Sequence, residues 1–381
     1  MRALLLFVVA VISPAQMLTD PAKLPDRWKT FERPGRDRKL ECRIERVRPR
    51  LNYGLRFQTG YRVEVPLRQY TGSGHRWSVI LRVTPEAGKR EPVWLISRGR
   101  IPPARAAKAS AEFGGAFLIG EGRYHVDMLL ADDADRACVK AWDIRAKLSD
   151  SVREARPGLP AGAVDDISLR RWGRTGLDDS GEDRRRKLSV LVHAAAMSPN
   201  RVRLRSGDRV LLMSALVSML ERLPVRSVRL SLFSMDRQQE IYRTDDLSPG
   251  SFRDAIDALN GLELGKVDYS TLRNRGGHLD LVSDLLNREL ATKDAPDAVV
   301  FLGPLARWTD RVPADALPAR EANRPIYYIQ LRPWRLPAAA LTDTITRAVR
   351  KLGGRTKEVY SPQDFAEAIR ELEHLLEQKP R

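Results

Sequence analysis

The chain predicts two domains of different class: an all-β sandwich of immunoglobulin-like size over residues 38–148, and a doubly wound α/β sheet over residues 188–378. Three observations carry this. Residues 38–148 hold short runs that alternate apolar and polar at period two, with no convincing helix among them. Residues 188–378 alternate strand-length apolar runs with amphipathic helical ones, the pattern of a mostly parallel sheet. At the head of that second region, Leu188-Ser-Val-Leu-Val-His-Ala-Ala-Ala-Met-Ser198 reads as a buried parallel strand entering a small-residue loop, where an open α/β sheet places its ligand site.

Arg2, the apolar run Ala3–Ile12 and the small residues Ser13 and Ala15 match a secretory signal, residues 1–15, cut after Ala15. The competing reading is a buried amino-terminal strand or helix. The run is too short to span a bilayer, and no later segment is long and apolar enough to do so. Residues 16–37, rich in Pro and charge, read as a flexible lead.

The predicted strands of the sandwich are Cys42–Val47, Tyr61–Val65, Trp77–Val83, Val93–Ile96, Tyr124–Leu130 and Val139–Ile144, with turn signals at Gly72-Ser73-Gly74 and Gly120-Glu121-Gly122. Gly114-Gly115 and Gly120, beside Phe113 and Phe117, suggest hairpin geometry. Only two cysteines occur, Cys42 and Cys138. In an exported chain they form one disulfide or remain two buried thiols, since sequence does not supply their separation in space. Residues 149–187, punctuated by Pro and Gly, read as a linker with a short strand at Ile167–Leu169.

Beyond it the expected order is strand Leu188–Val192, helix Asp208–Arg222, strand Val228–Phe233 and an antiparallel partner Glu240–Arg243, then helices from Ser248 to Leu259 and from His278 to Leu290. Strands Ala298–Leu302 and Ile326–Leu331 follow, then helix Ala338–Leu352, edge strand Glu358–Tyr360 and helix Gln363–Leu376.

A composition of 43% hydrophobic and 30% charged residues excludes a wholly disordered chain. The net charge of +17 invites a nucleic-acid reading, but Asp and Glu are interleaved along the chain and no nucleic-acid-binding motif occurs. An anionic envelope surface or acidic polysaccharide is the polymer this charge fits in an exported protein.

The order of elements from Leu188 to Gln378 resembles the von Willebrand factor A (vWA) domain, a Rossmann-like fold. The whole layout resembles the secreted VWFA-related proteins of environmental bacteria. The resemblance implies a metal-ion-dependent adhesion site at the carboxyl ends of the strands, where the family carries Asp-x-Ser-x-Ser, a Thr in a Gly-Gly-Thr-like loop, and Thr-Asp-Gly. The matching positions here read His193-Ala194-Ala195-Ala196-Met197 with Ser198 beyond, Gly276-Gly277-His278, and Leu302-Gly303-Pro304 with Asp310 as the nearest acid downstream. The oxygen ligands a hard cation needs are gone, so a degenerate site without Mg²⁺ is expected.

The expectation is therefore a secreted or periplasmic, non-enzymatic scaffold without cofactor, with a protein partner bound over His193, Ser198, Gly276, Gly277, His278 and Asp310. The competing classes are a metal-dependent adhesin or enzyme, with His193, His278 and Asp310 holding a borderline metal such as Zn²⁺, and a binder of anionic envelope polymer. Ser189 or Ser198 beside His193 lacks the Gly-x-Ser-x-Gly setting of a hydrolase nucleophile. Tyr327, Tyr328 and Trp334 read as packing residues of the fifth strand or its edge.

Overall fold

In the computed structural model the described residues are 8–10, 16–70, 74–86, 91–101, 109–154, 156–167, 186–198, 201, 204–262, 273–291, 294–313, 315–318, 324–333 and 342–377. Most of the signal reading, Gly72, Ser73 and Trp334 lie outside them. The chain divides into two compact units, one formed by Met1–Leu148 and Pro157–Ser168, the other by Ser149–Arg156 and Leu169–Arg381.

The first unit holds two sheets. One has the order β1(Val8–Ala10), β7(Ser110–Ile119), β4(Phe57–Pro66), β3(Arg43–Leu51), with β10(Val164–Asp165) also paired to β7. The other has the order β2(Met17–Thr19), β6(Val93–Ile101), β5(His75–Pro85), β8(Gly122–Asp132), β9(Ala137–Ala146). Among the named strands pairing is antiparallel except for β1, which runs parallel to β7 with Val8 opposite Ser110, so the described part of the segment read as a signal is a strand of this sheet, as in the competing reading. Inward residues of the two sheets meet: Trp77 on β5 stacks on Phe113 of β7 at 4.1 Å, and the Tyr61 hydroxyl on β4 lies 3.0 Å from Ser97 Oγ on β6. Cys42, just before β3, is bonded to Cys138 on β9, so the cross-link joins the two sheets.

Gly114 and Gly115 make no hairpin turn. They lie inside β7, opposite Arg62 and Tyr61 of β4, because a close approach needs them there. A Cβ on Gly115 would stand 2.5 Å from both the Tyr61 hydroxyl and Gln16 Oε1. The lead 16–37 also differs from the expected flexible segment. Leu24 is buried against Ile80, Ile96 and Leu129 on the outer face of the second sheet, with Trp28 and Phe31 packed beside it. Phe31 lies 5.6 Å from Trp94, and the Arg82 guanidinium sits over the Phe31 ring at 4.8 Å. A sheet face carrying Ile80, Ile96 and Leu129 needs an apolar cover, and the lead supplies it.

Part of the segment read as linker belongs to each unit. Helix α1(Asp150–Glu154) lies in the second unit, where Glu154 pairs with Arg370. Pro157–Ser168 belongs to the first unit, where β10 pairs with β7 through Val164 opposite Ile119, three residues before the expected strand.

The second unit is built on one six-stranded sheet with the order β13(Gln239–Thr244), β12(Val225–Ser234), β11(Arg186–His193), β14(Ala298–Pro304), β15(Ile326–Leu331), β16(Arg355–Val359). Neighbouring strands run parallel except β13, which is antiparallel to β12. The helices among the described residues are α2(Ser206–Leu220), α3(Pro249–Gly261), α4(Gly277–Leu290), α5(Thr344–Lys351) and α6(Pro362–Glu377). Leu191, Phe233, Phe301 and Tyr328 point to one face and pack with Val282, Leu285 and Leu286 of α4 and Ile345 and Val349 of α5. Their alternating neighbours Val190, Leu232 and Val300 are buried on the opposite face. The central strands β11, β14 and β15 are therefore buried on both faces, which is why they read as continuous apolar runs, whereas the edge strands β13 and β16 are polar and partly exposed.

Candidate functional site

The strand order reverses between β11 and β14, which lie side by side although β12 and β13 come between them in sequence. In an open α/β sheet the connections leaving such a pair diverge to opposite faces and leave a crevice at the carboxyl ends. His193, the last residue of β11, stands at that point and is only 2% exposed.

Its ring is held from two sides. It stacks on Phe233 of β12 at 5.3 Å, and Nδ1 lies 3.3 Å from the carbonyl oxygen of Pro304, the last residue of β14. A carbonyl only accepts, so Nδ1 carries the proton and Nε2 is left as a bare acceptor. That atom is buried and has no hydrogen-bond partner among the described residues. Burial pushes the imidazole pKa below its ordinary value, and this outweighs the opposite pull of Asp236 and Asp343. Gly303 makes the arrangement sterically possible, because a Cβ there would stand 2.8 Å from both Cβ and the carbonyl oxygen of His193.

His278 lies on the first turn of α4, packed flat on Trp308 at 4.2 Å, and its Nε2 donates to Asp310 Oδ2 at 3.0 Å. Its Nδ1 is buried without a hydrogen-bond partner among the described residues. Asp310 has a side chain 58% exposed, so the dyad opens to solvent on the acid's side. The Gly276-Gly277 turn that starts α4 faces Gln238: a Cβ on Gly277 would stand 2.2 Å from Gln238 Oε1, and Gln238 Nε2 donates to the Asn274 carbonyl at 2.8 Å. Ser198 is half-buried, and its carbonyl accepts from the Arg201 amide at 3.0 Å.

Of the residues expected at the site, the structure thus joins His278 to Asp310, while His193 is tied to Pro304 and Phe233. Among the described residues no three His, Cys, Asp or Glu side chains are grouped to hold a metal ion.

Sequence reasoning missed Asp343. It is wholly buried: Oδ1 accepts from the Thr346 amide at 2.7 Å, and Oδ2 accepts from the Ala306 amide at 2.9 Å, Gln330 Nε2 at 3.1 Å and the Tyr328 hydroxyl at 3.2 Å. It caps α5, whose first described residue is Thr344 and not the expected Ala338; residues 334–341 lie outside the described residues. An Asp immediately before an apolar-periodic run was the available signal. The ion pair of Asp236 with Arg307, 2.8 Å, was also missed, because it joins loops far apart in sequence.

No protein-family model matches the chain, and no curated protein matches it. Among solved structures, one described as "X-ray structure of Northeast Structural Genomics Consortium target SoR45" aligns with a TM-score of 0.20 and 10% identity, over 29% of this chain and 92% of that one, a likeness too slight to speak to fold or function.

Proposed function

We propose that the chain is an exported, non-enzymatic scaffold whose second unit is a vWA-like domain that has lost its cation site and presents its strand-end loops to a protein partner, with an immunoglobulin-like first unit as spacer or second docking surface. The observation that carries the reading is the filling of the crevice between β11 and β14. There the position a vWA domain gives to its first metal-binding carboxylate holds a buried imidazole bonded to the Pro304 carbonyl. Support for the fold reading comes from the sheet order, in which strands three, two, one, four, five and six of the unit lie side by side with the third antiparallel at the edge. The Cys42–Cys138 bond supports an oxidising compartment.

Elemental analysis of the purified protein, native and as His193→Ala and His278→Ala, tests the reading, together with melting curves in chelator and in Mg²⁺, Mn²⁺ or Zn²⁺. The expected result is no stoichiometric metal and no shift in melting temperature. Metal held by the native protein and lost in either variant overturns the reading in favour of a metal-dependent adhesin or enzyme.

A further inference from the structure

We infer that the free edge of β3 is a docking surface for an acidic polysaccharide, which Arg46, Arg48 and Arg50 hold. The inference gives the first unit the docking role proposed above. It rests on the export reading for the class of polymer, and on nothing in the crevice of the second unit. β3 is the last strand of its sheet, so one side of it has no neighbouring strand. All three arginines are exposed, and they follow one another at every second residue, roughly 6.5 Å apart along an extended chain.

Their charges are unmatched. Among the described residues none of the three has a carboxylate within ion-pair distance, whereas Arg43 of the same strand pairs with Glu45 at 2.8 Å and Arg62 of β4 pairs with Glu112 at 2.8 Å. The ladder supplies no acid either: Arg46 lies opposite Tyr61, Arg50 lies opposite Gln58, and Arg48 falls in the register shift between Val47 and Arg50. A row of one sign concentrates ligands of the other sign, and the paired donors of a guanidinium fit a carboxylate.

Protection of the edge does not account for the row. An exposed edge strand needs a device against strand pairing, and β3 already has two: Pro49 offers no N–H, and the register shift breaks the ladder there. Three arginines within five residues exceed that task. A bilayer fits the site less well than a chain does, because the cations form a line and the exposed apolar side chain among them is a single valine, Val47. A polymer that carries carboxylates along its length can lie on that line and pair with each cation in turn.

The test is binding of the full chain to polygalacturonate across a salt series, with neutral dextran and phosphatidylglycerol vesicles in parallel. Two triple variants with the same change in net charge are compared. Arg46→Glu, Arg48→Glu and Arg50→Glu keep the edge charged, and so guarded, but reverse its sign. Arg226→Glu, Arg253→Glu and Arg350→Glu alter exposed cations on β12, α3 and α5 of the second unit. Melting curves check that each variant is folded, and the matching Arg→Gln triple on β3 replaces the first if the reversal costs the fold. The native chain should bind polygalacturonate and not dextran, more weakly as salt rises. The β3 triple should weaken binding by about tenfold or more and flatten its salt dependence, since fewer counterions are released, while the second-unit triple keeps most of the affinity. An equal loss in both triples overturns the inference, because net charge and not the β3 edge then attracts the polymer. Binding to vesicles without binding to polygalacturonate overturns it in favour of a lipid surface. A chain that binds the polymer through β3 but is not exported overturns the export reading and leaves the site standing; an exported chain that does not bind overturns the inference alone.

Discussion

At the scale of single residues, the second unit depends on the fit of His193 against Gly303. The Gly303→Ala substitution forces a methyl group into the His193 backbone and Cβ at 2.8 Å, so it is expected to destabilise the protein by about 1–3 kcal/mol, measured by urea unfolding. Gly207, on the first turn of α2, has nothing within 4 Å of the added Cβ. Gly207→Ala is therefore expected to stabilise by about 0.4–1 kcal/mol, through a less flexible unfolded chain. The two substitutions are chemically identical, so their opposite signs report the surroundings alone.

His193 also fixes the sign of a pH dependence. Its folded pKa is depressed, so above the ordinary value of 6.5 both folded and unfolded states are neutral there and the group contributes nothing. As pH falls below that value the unfolded chain takes up a proton that the folded chain refuses, and stability declines until the folded pKa is reached. Urea midpoints at about pH 7.5 and about pH 5 should show a smaller acid-side loss in His193→Gln than in the native protein. An equal loss in both would mean that the imidazole protonates freely when folded.

At the scale of elements, α5 hangs from its cap. Asp343→Ala removes the acceptor for two amides and a carboxamide, all buried, while the Tyr328 hydroxyl keeps the Pro304 carbonyl at 2.9 Å. A lost cap and the stranded donors together put the cost at about 3 kcal/mol or more, and Asp343→Asn, which keeps one carbonyl oxygen, should recover part of it in the same melt. The elements of this unit were legible where a single period ran unbroken, as in Ile326–Leu331 and in α4, whose apolar positions Val282, Leu285 and Leu286 recur at helical spacing. β7 was not legible as a strand. Gly114 and Gly115 interrupt its alternation, and they are explained by Tyr61 on another strand and by Gln16 still farther away. Asp343 was hidden for the same kind of reason: its partners Ala306, Tyr328 and Gln330 come from three other places in the chain.

At the scale of the whole molecule, the Cys42–Cys138 bond closes a separation of 96 residues inside the first unit. Loop-closure entropy makes that bond worth about 4–5 kcal/mol, so Cys42→Ser with Cys138→Ser should unfold the first unit at markedly lower denaturant, as should reductant on the native protein. The lead shows why composition misleads at this scale. Pro and charge dominate residues 16–37, yet Leu24, Trp28 and Phe31 are spaced to reach one sheet face, and three apolar anchors suffice to hold an otherwise polar segment down. The switch point at the carboxyl end of β11 was legible as a place, because a buried strand running into small residues marks it. Its chemistry was not legible, because the partner of His193 is a backbone carbonyl, which every residue possesses.

The division of the chain bears on how the protein is made. Ser149–Arg156 belongs to the second unit and Pro157–Ser168 to the first, so neither unit is one uninterrupted stretch. A ribosome delivers residues in order, and the first unit cannot complete its β7 edge until Val164 and Asp165 have emerged. By then α1 is already outside and must wait for α6, more than half the chain later, before Glu154 meets Arg370. Birth of the two units is therefore overlapped and not sequential, and a nascent chain paused before residue 164 would carry a β7 edge open to unwanted strand pairing.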